Sequence, residues 1–414
     1  MELDPLIDQA SLPLRLRNAP APETPARAPV ETMRVLHSVG HLARGGIEAW
    51  LHQMVLRLEP GRYEHHVLVW TDEEEAFTAQ FLAAGARVLP CTGHPEPVRF
   101  AADFARVTRS HGPYDVLHTH GTHFNGFVML LAKAAGIRAR VAHSHDNIRP
   151  MLRDASLAYR TYAAAGNGLI RALATSGVGV TGEAAESMFG ARWRTNPKIR
   201  VLHCGLDLRP FSKRRDPRLR SRLGIPPGST VVGHVGRFEA QKNHAFLIGL
   251  AAELARRGSD LHFLLIGDGS LRQGFTREVE ARGLRSSFTF VPDCHTVPNH
   301  MVSAMDCFIC PSLHEGLPLV VVEAQAAGLA CLVSEGTSQD VGVHPSLVRR
   351  MGLESGTEAW ADALETMPAR RIDNLDPSLR AILERSPFNI EESVAGLARV
   401  YEEAVAAAAP NAGR

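Results

Sequence analysis

The chain has almost no net charge: 45 Lys and Arg stand against 44 Asp and Glu. No global field therefore draws it to nucleic acid or to acidic partners. Cysteine is sparse and scattered, at positions 91, 204, 294, 307, 310 and 331. That excludes a disulfide framework and suits a reducing cytosol. No run approaches the ~18–20 apolar residues that cross a bilayer, so any membrane contact is expected to be peripheral. The N-terminus carries acids and prolines where a secretory signal has a basic start and an apolar core. Short repeats are absent, and biased sequence is confined to residues 1–32, rich in Pro and Ala and expected as a disordered leader. The CxxC pair, Cys307 and Cys310, lies in an apolar strand-like run. Positions three apart on a strand face opposite ways, so it reads as two small buried residues and not as a metal clamp.

What is present is an alternation of strands and helices. A chain of 414 residues is long enough for two ordinary domains. Candidate strands run over Arg34–Val39, His65–Trp70, Ala86–Leu89, Val116–Thr119, Ala139–His143, Ala174–Val180 and Ile199–His203. Between them Ile47–Leu58, Phe124–Ala135 and Leu157–Leu173 carry the helical period. The stretch Gly205 to Ser229 holds Lys213-Arg-Arg, Arg218, Arg220, Arg222 and Pro226-Pro-Gly without a strand-like run, and is the expected interdomain connection. A second series follows at Val231–Val235, Leu261–Ile266, Ser287–Val291, Cys307–Cys310, Ala330–Val333 and Leu347–Met351, and a helical tail runs from Ile390 to Ala408, ending at Pro410. Such alternation implies parallel, doubly wound α/β sheets, with ligands at the carboxyl ends of the strands.

Those strand ends hold the residues with chemistry. Directly after Asp306 to Pro311 the chain reads Glu315-Gly-Leu-Pro-Leu-Val-Val-Val-Glu323. A loop opening on an acid leads into a helix whose first turn is expected to hold Pro318. Free amides and the helix dipole there suit phosphate. One carboxylate precedes the helix and one lies inside it, so the pair can reach hydroxylated groups on either side of a diphosphate. That combination is a nucleotide sugar. Gly236-Arg237-Phe-Glu-Ala-Gln-Lys242-Asn243 closes the first strand of the second series and offers a guanidinium fork and an ammonium to the same anion. Gly267-Asp268-Gly269 closes the next strand, a turn with room for a base or ribose. In the first series, Gly45-Gly46-Ile47-Glu48 lets backbone approach a ligand at a strand-to-helix turn. His118-Thr-His120 with His123, and His143-Ser-His145-Asp146, place histidines on one face at two strand ends. They read as hydrogen-bond donors to sugar hydroxyls, as acid/base groups, as zinc ligands, or as satisfied structural histidines.

Together, Gly236-Arg237…Lys242-Asn243, Leu265-Ile-Gly-Asp-Gly269 and Glu315-x7-Glu323 strongly resemble the retaining glycosyltransferases of family 4. The likeness extends from about Met33 to Ala408, and Gly45 to Glu48 and His143-Ser-His145 look most like the bacterial branch making exopolysaccharide and related surface glycans. The resemblance implies the GT-B fold: two facing Rossmann-like domains with a donor cleft between them. It implies an acceptor-side domain over 33–208, a nucleotide-sugar domain over 209–390, and a helix over 391–414 that returns toward the first. Arg237 and Lys242 then hold the donor diphosphate, Glu315 contacts the transferred sugar, and Glu323 takes the ribose. Gly236, Gly267, Gly316, Leu317, Pro318 and Leu319 line the donor, with Gly46 near the diphosphate. His120 lies near the reacting sugar, with His118, His143 and His145 as further sugar or acceptor contacts. No metal or other cofactor is expected, since protein cations replace one. Gln325 stands where the family often has Met, and reads as a packing change. The expected reaction moves a hexosyl group, with retention, from a uridine-linked donor to a glycan or lipid-linked glycan. The expected place is the cytoplasm, at the inner face of the cytoplasmic membrane. Arg149, Arg153, Arg160 and Arg171 around Leu152, Leu157 and Leu169 read as a basic docking face or as an ordinary solvated helix. A nucleotide-sugar epimerase of the same shell, a zinc hydrolase and a sugar-nucleotide-binding subunit are the rival readings.

Overall fold

The computed structural model describes residues 32–292, 294, 296–367 and 377–408. The expected leader, Thr32 apart, and Pro410 lie outside the described residues. The chain divides into two compact units, one of residues 32–202 with 394–408 and one of residues 203–393. The domain boundaries were expected at 208/209 and 390/391.

The first unit carries seven parallel strands: β1 (Met33–Ser38), β2 (Tyr63–Val69), β3 (Arg87–Pro90), β4 (Val116–Thr119), β5 (Ala139–Ser144), β6 (Ser176–Gly179) and β7 (Ile199–Val201). Their order is β3-β2-β1-β4-β5-β6-β7. Helices cover the sheet, so its strands are buried on both faces and were legible as short, largely apolar runs. Leu36, Leu68 and Leu117 of three neighbouring strands pack with Phe100, Phe104, Met129 and Ile170 from the helices. Two helices start on side-chain caps. Ser156 accepts from the Tyr159 amide ahead of Leu157–Leu173, and Thr181 does so from Ala184 ahead of Gly182–Phe189.

The second unit repeats the plan with β8 (Thr230–Val235), β9 (Leu261–Ile266), β10 (Phe288–Val291), β11 (Cys307–Cys310), β12 (Ala330–Ser334) and β13 (Val348–Met351), all parallel, in the order β10-β9-β8-β11-β12-β13. Strand β11 shows the two-sided core directly. Cys307 and Ile309 join the cluster around Trp360 and Leu250, while Phe308 and Cys310 join the opposite one around Met305 and Val321. The two cysteines therefore face opposite ways.

Residues 205–229 are not the bare connector expected. Phe211, Leu219 and Ile225 are buried in the core of the second unit, and Arg220 pairs with Asp306 at 2.6 Å. Arginine-rich sequence hid an amphipathic segment whose few apolar residues all point inward.

Trp360 is fully buried and its indole N–H donates to the Gly352 carbonyl at 3.0 Å. Trp360→Ala should cost about 3–5 kcal/mol of stability, from lost burial and the cavity left behind. Denaturant titration followed by circular dichroism measures it.

Candidate functional site

In both sheets the earliest strand sits inside the order, so the direction of strand succession reverses between β1 and β4 and between β8 and β11. Open α/β sheets bind ligands outside the carboxyl ends of strands at such reversals. The residues singled out in the sequence leave the sheets at these two places.

In the second unit, the loops after β8 and β11 are laced together. The Gln241 side chain donates to the His314 carbonyl at 2.8 Å and the Leu313 amide to the Gln241 carbonyl at 2.8 Å. Asn243, in the left-handed region at φ 55°, donates from Nδ2 to the Pro311 carbonyl at 3.1 Å. This lacing brings Lys242 Nζ to 2.7 Å from Glu315 Oε2 in a largely buried pair. The other carboxylate oxygen accepts from the Ser312 hydroxyl and, at 3.7 Å, faces the Cys310 thiol. Burial alone would lower the Lys242 ammonium, but the Glu315 charge and hydrogen bond lift it above the ordinary lysine range. Arg237 is exposed beside it, near enough for the two positive charges to oppose each other. Lys242 is thus already paired with an acid, while Arg237 stands open to solvent.

The glycines have a packing reason. Gly236 lies under the Lys242 stem, where a Cβ would come within 3.1 Å of Cδ. Gly267 has φ +140°, and a Cβ there would stand 2.1 Å from the Gly236 carbonyl oxygen. Gly269 crowds the Phe238 backbone in the same way. Room for a base or ribose was the expectation for this turn; within the protein its glycines seat one strand-end loop on the other.

The helix after β11 spans Leu319–Ala326, and Pro318 caps it at ψ 88° instead of lying in its first turn. Gly316, Leu317 and Leu319 flank that cap, and the opening amides of a helix have no intrahelical acceptor. Glu323 lies on this helix, and burial pushes its carboxyl up to about 7. Gln325 is buried and tied down, donating to the Val341 carbonyl at 2.7 Å and accepting from the His344 amide at 3.0 Å. It is a hydrogen-bonded brace between helix and following loop, more than a change of packing.

Sequence reasoning missed His234 on β8. It is buried, its Nδ1 lies 2.9 Å from the Ile309 carbonyl, and burial lowers it to about 4. Its position near a strand's carboxyl end is the signal used for the histidines of the first unit, and would have found it. Ser312 and Asn243 were equally within reach as neighbours of Glu315 and Lys242.

In the first unit a cavity of about 200 Å³ opens beside β4 and β5, lined by Ile47, His120, His145, Asp146, Asn167 and Met188 among others. Gly46 starts the helix Gly46–Arg57 and is exposed, one residue before Ile47. Its neighbour Gly45 leaves space for the folded-back Glu48 carboxylate, which a Cβ would meet at 2.2 Å. Behind the cavity lies a network of imidazoles. His145 Nε2 is 3.1 Å from His120 Nδ1, His120 Nε2 is 3.2 Å from His37 Nδ1, and His37 Nε2 is 3.1 Å from His65 Nδ1. A second branch joins His143 Nδ1 to His118 Nε2 at 3.2 Å and His118 Nδ1 to the Tyr401 hydroxyl at 2.7 Å. Burial first, and then neighbouring imidazoles, hold His37, His118, His120 and His143 well below the usual histidine range, and burial lowers His145 to about 3. All are neutral at physiological pH.

Two expectations need correction. His118 and His143 have no exposed surface, so neither touches a sugar from the cavity; they stand behind His120 and His145, which line it. Parity put each pair on one side as expected, but depth separates the two members.

The Glu323 carboxyl yields a pH prediction. Unfolded, a glutamate carboxyl titrates near 4.5; folded, Glu323 titrates near 7. The raised value favours the protonated native form, so its stabilising share is complete below about 4.5 and is lost as pH rises through about 7. Melting temperatures of the wild type and of Glu323→Gln should therefore diverge from about pH 5 to pH 8, with the wild type losing ground.

Two family descriptions match the chain: "Glycosyl transferase 4-like domain" over residues 45–205 and "Glycosyl transferases group 1" over residues 216–349. Over 380 residues the chain is 29% identical to the glycosyltransferase-family protein EpsF of Bacillus subtilis (strain 168), covering 89% of this chain and 96% of that one. A UDP-Gal:alpha-D-GlcNAc-diphosphoundecaprenol alpha-1,3-galactosyltransferase of Escherichia coli is 27% identical over 229 residues, 53% of this chain and 58% of that enzyme. Among solved structures, Anabaena Alr3699/HepE in complex with UDP-glucose matches 90% of this chain and 100% of its own at a TM-score of 0.74 and 18% identity. The paired doubly wound sheets, the two family matches and a relative aligned over nearly its whole length agree: the chain belongs to the glycosyltransferases of the GT-B fold, with a family 4-like first unit and a group 1 second unit.

Proposed function

We propose that the protein is a retaining glycosyltransferase that moves a hexosyl group from a UDP-sugar to a glycan or lipid-linked glycan during cell-surface polysaccharide synthesis. The Lys242–Glu315 pair at the β8/β11 reversal, with exposed Arg237 beside it, carries the reading. Breaking an anomeric C–O bond to a nucleoside diphosphate builds charge on the leaving phosphate. A preorganised ammonium, a guanidinium and the opening amides of the helix Leu319–Ala326 answer that charge without a metal ion. Glu315, pinned on one oxygen by Ser312, offers acceptors to the transferred sugar's hydroxyls. Glu323 takes the ribose in its ionised form. His120, neutral at the cavity wall, is the first-unit residue that this reading assigns to the reacting sugar. The donor phosphate itself receives the acceptor's proton.

The acceptor class draws on the Escherichia coli relative, whose name specifies a diphosphoundecaprenol acceptor, and the uridine on that relative and on the UDP complexes of HepE. No helix among the described residues is long and apolar enough to cross a membrane. Contact with a lipid-linked acceptor would then be peripheral, at the inner face of the cytoplasmic membrane. Leu157 is 78% exposed, with Met151, Tyr159 and Tyr162 also exposed around it, on the two helices that carry Arg149, Arg153, Arg160 and Arg171.

Four outcomes test this. In a panel of nucleotide sugars, the true donor should raise the melting temperature, by mass action, and UDP release should require an acceptor. Arg237→Ala should lower kcat about a hundredfold or more while leaving the melting temperature unchanged, because Arg237 is exposed. Lys242→Ala should lower both, since it also strands Glu315; near-normal transfer by either variant would remove that residue from the mechanism. Flotation with vesicles containing anionic lipid should be lost at high salt and in Leu157→Asp.

A further inference from the structure

The imidazole network of the first unit contains more histidine than a sugar contact needs. One ring nitrogen from each of His120, His143 and His145 lies within 4.8 Å of the other two. We propose that these three side chains form a binding site for a divalent transition-metal ion of the zinc class, open to the cavity at its fourth position.

Hydrogen bonding assigns the ligand atoms. His143 Nδ1 is engaged by His118, which leaves Nε2, and among the described residues that buried nitrogen has no hydrogen-bond partner. If His118 donates from Nδ1 to the Tyr401 oxygen, its Nε2 accepts from His143 Nδ1–H, and His143 Nε2 carries a free lone pair. On the other branch the matching polarity has His120 donate from Nε2 to His37 Nδ1 if His37 in turn donates from Nε2 to His65 Nδ1. That polarity leaves a lone pair on His120 Nδ1, 3.1 Å from His145 Nε2. Two nitrogens each about 2.0–2.1 Å from a tetrahedral ion stand roughly 3.3 Å apart, so this pair is already spaced as co-ligands. A ring nitrogen of His143 lies within 4.8 Å of both and supplies the third position.

The outer hydrogen bonds do what such partners do in metal sites: they set the tautomer and orientation of each ligand. His118 and Tyr401 serve His143; His37 and His65 serve His120. Burial keeps the imidazoles neutral, so a cation releases no net proton: the hydrogen that His145 Nε2 holds toward His120 Nδ1 moves to His145 Nδ1 as the ion binds. Three imidazoles select zinc, cobalt, nickel or copper over the oxygen-seeking magnesium and calcium. The other buried trio, His37, His118 and His120, is a poorer candidate, because both nitrogens of each ring are already bonded within the network. The fourth position faces the cavity, where a water or a substrate hydroxyl would complete the tetrahedron. The cations and acids assigned to the donor lie in the second unit, and His120 is the residue the two readings share, so the test of this site is one without donor or acceptor.

The test uses the full chain without a histidine tag, stripped by chelator and titrated with Co²⁺. About one equivalent should bind with the intense visible absorption of tetrahedral cobalt, and Zn²⁺ should displace it. His145→Ala, at the cavity wall, should weaken Co²⁺ binding about a hundredfold or more, and His143→Ala should abolish the band. Circular dichroism and the melt of each metal-free variant report whether it is folded; if buried His143 proves necessary for folding, His145→Ala alone decides. Absence of the band in folded wild type, or an undiminished band in folded His145→Ala, overturns the proposal. Neither readout involves donor or acceptor, so failure here and failure of glycosyl transfer are separable.

Discussion

An ammonium and a carboxylate 2.7 Å apart, both largely withdrawn from water, organise the second unit's site. Either charge alone would be costly to bury, and the pair is tolerable only because its remaining valences are met. Ser312 takes the second carboxylate oxygen, and the Gln241 and Asn243 side chains lock the loop carrying Lys242 to the loop carrying Glu315. The glycines at 236, 267 and 269 follow from the same demand. Loops laced this closely leave no room for a Cβ, and Gly267 would drive one into the Gly236 carbonyl. The arrangement is therefore set before any ligand arrives. Such preorganisation lets fixed charges stabilise a leaving group without reorganisation during the reaction.

The first unit solves a different problem with desolvation. Its sheet carries six histidines into a region that water barely enters, and burial strips them of charge. Neutral imidazoles have one donor and one acceptor each, so they join into chains, and the chains need terminal partners. Tyr401, from the helix Ile390–Ala408, supplies one of these, 283 positions along the chain from His118. His143 Nε2 has none among the described residues. Two buried nitrogens of the network are left without a partner among the described residues, on His65 and His143, and the one on His143 belongs to the trio from which a cation site follows.

Much was legible because parallel strands buried on both faces are local signals. Val116–Thr119, Leu261–Ile266 and Cys307–Cys310 coincide with their expected bounds, as do the helices Leu157–Leu173 and Ile390–Ala408. Periodicity and apolar content are properties of neighbours in the chain, so they survive without tertiary information. The arginine-rich stretch 205–229 misled for the same reason. Its apolar residues are too widely spaced to show a period, and only packing shows that Phe211, Leu219 and Ile225 are core. Pro318 was misplaced by one residue, within the uncertainty of any helix end.

The sequence by itself determined which chemical groups stand at which strand ends: Arg237 and Lys242 after β8, Glu315 after β11, the paired histidines at β4 and β5. It did so because side-chain parity and strand–loop–helix alternation are short-range. Tertiary structure alone decided which of those groups meet. It joined Lys242 to Glu315 and Ser312, gave Gly267 and Gly269 a packing task, and turned Gln325 into a brace. It also set depth, leaving His120 and His145 at a cavity while enclosing His118 and His143. Depth and long-range pairing depend on how the strands lie side by side and what the helices cover, and no window of sequence contains that information.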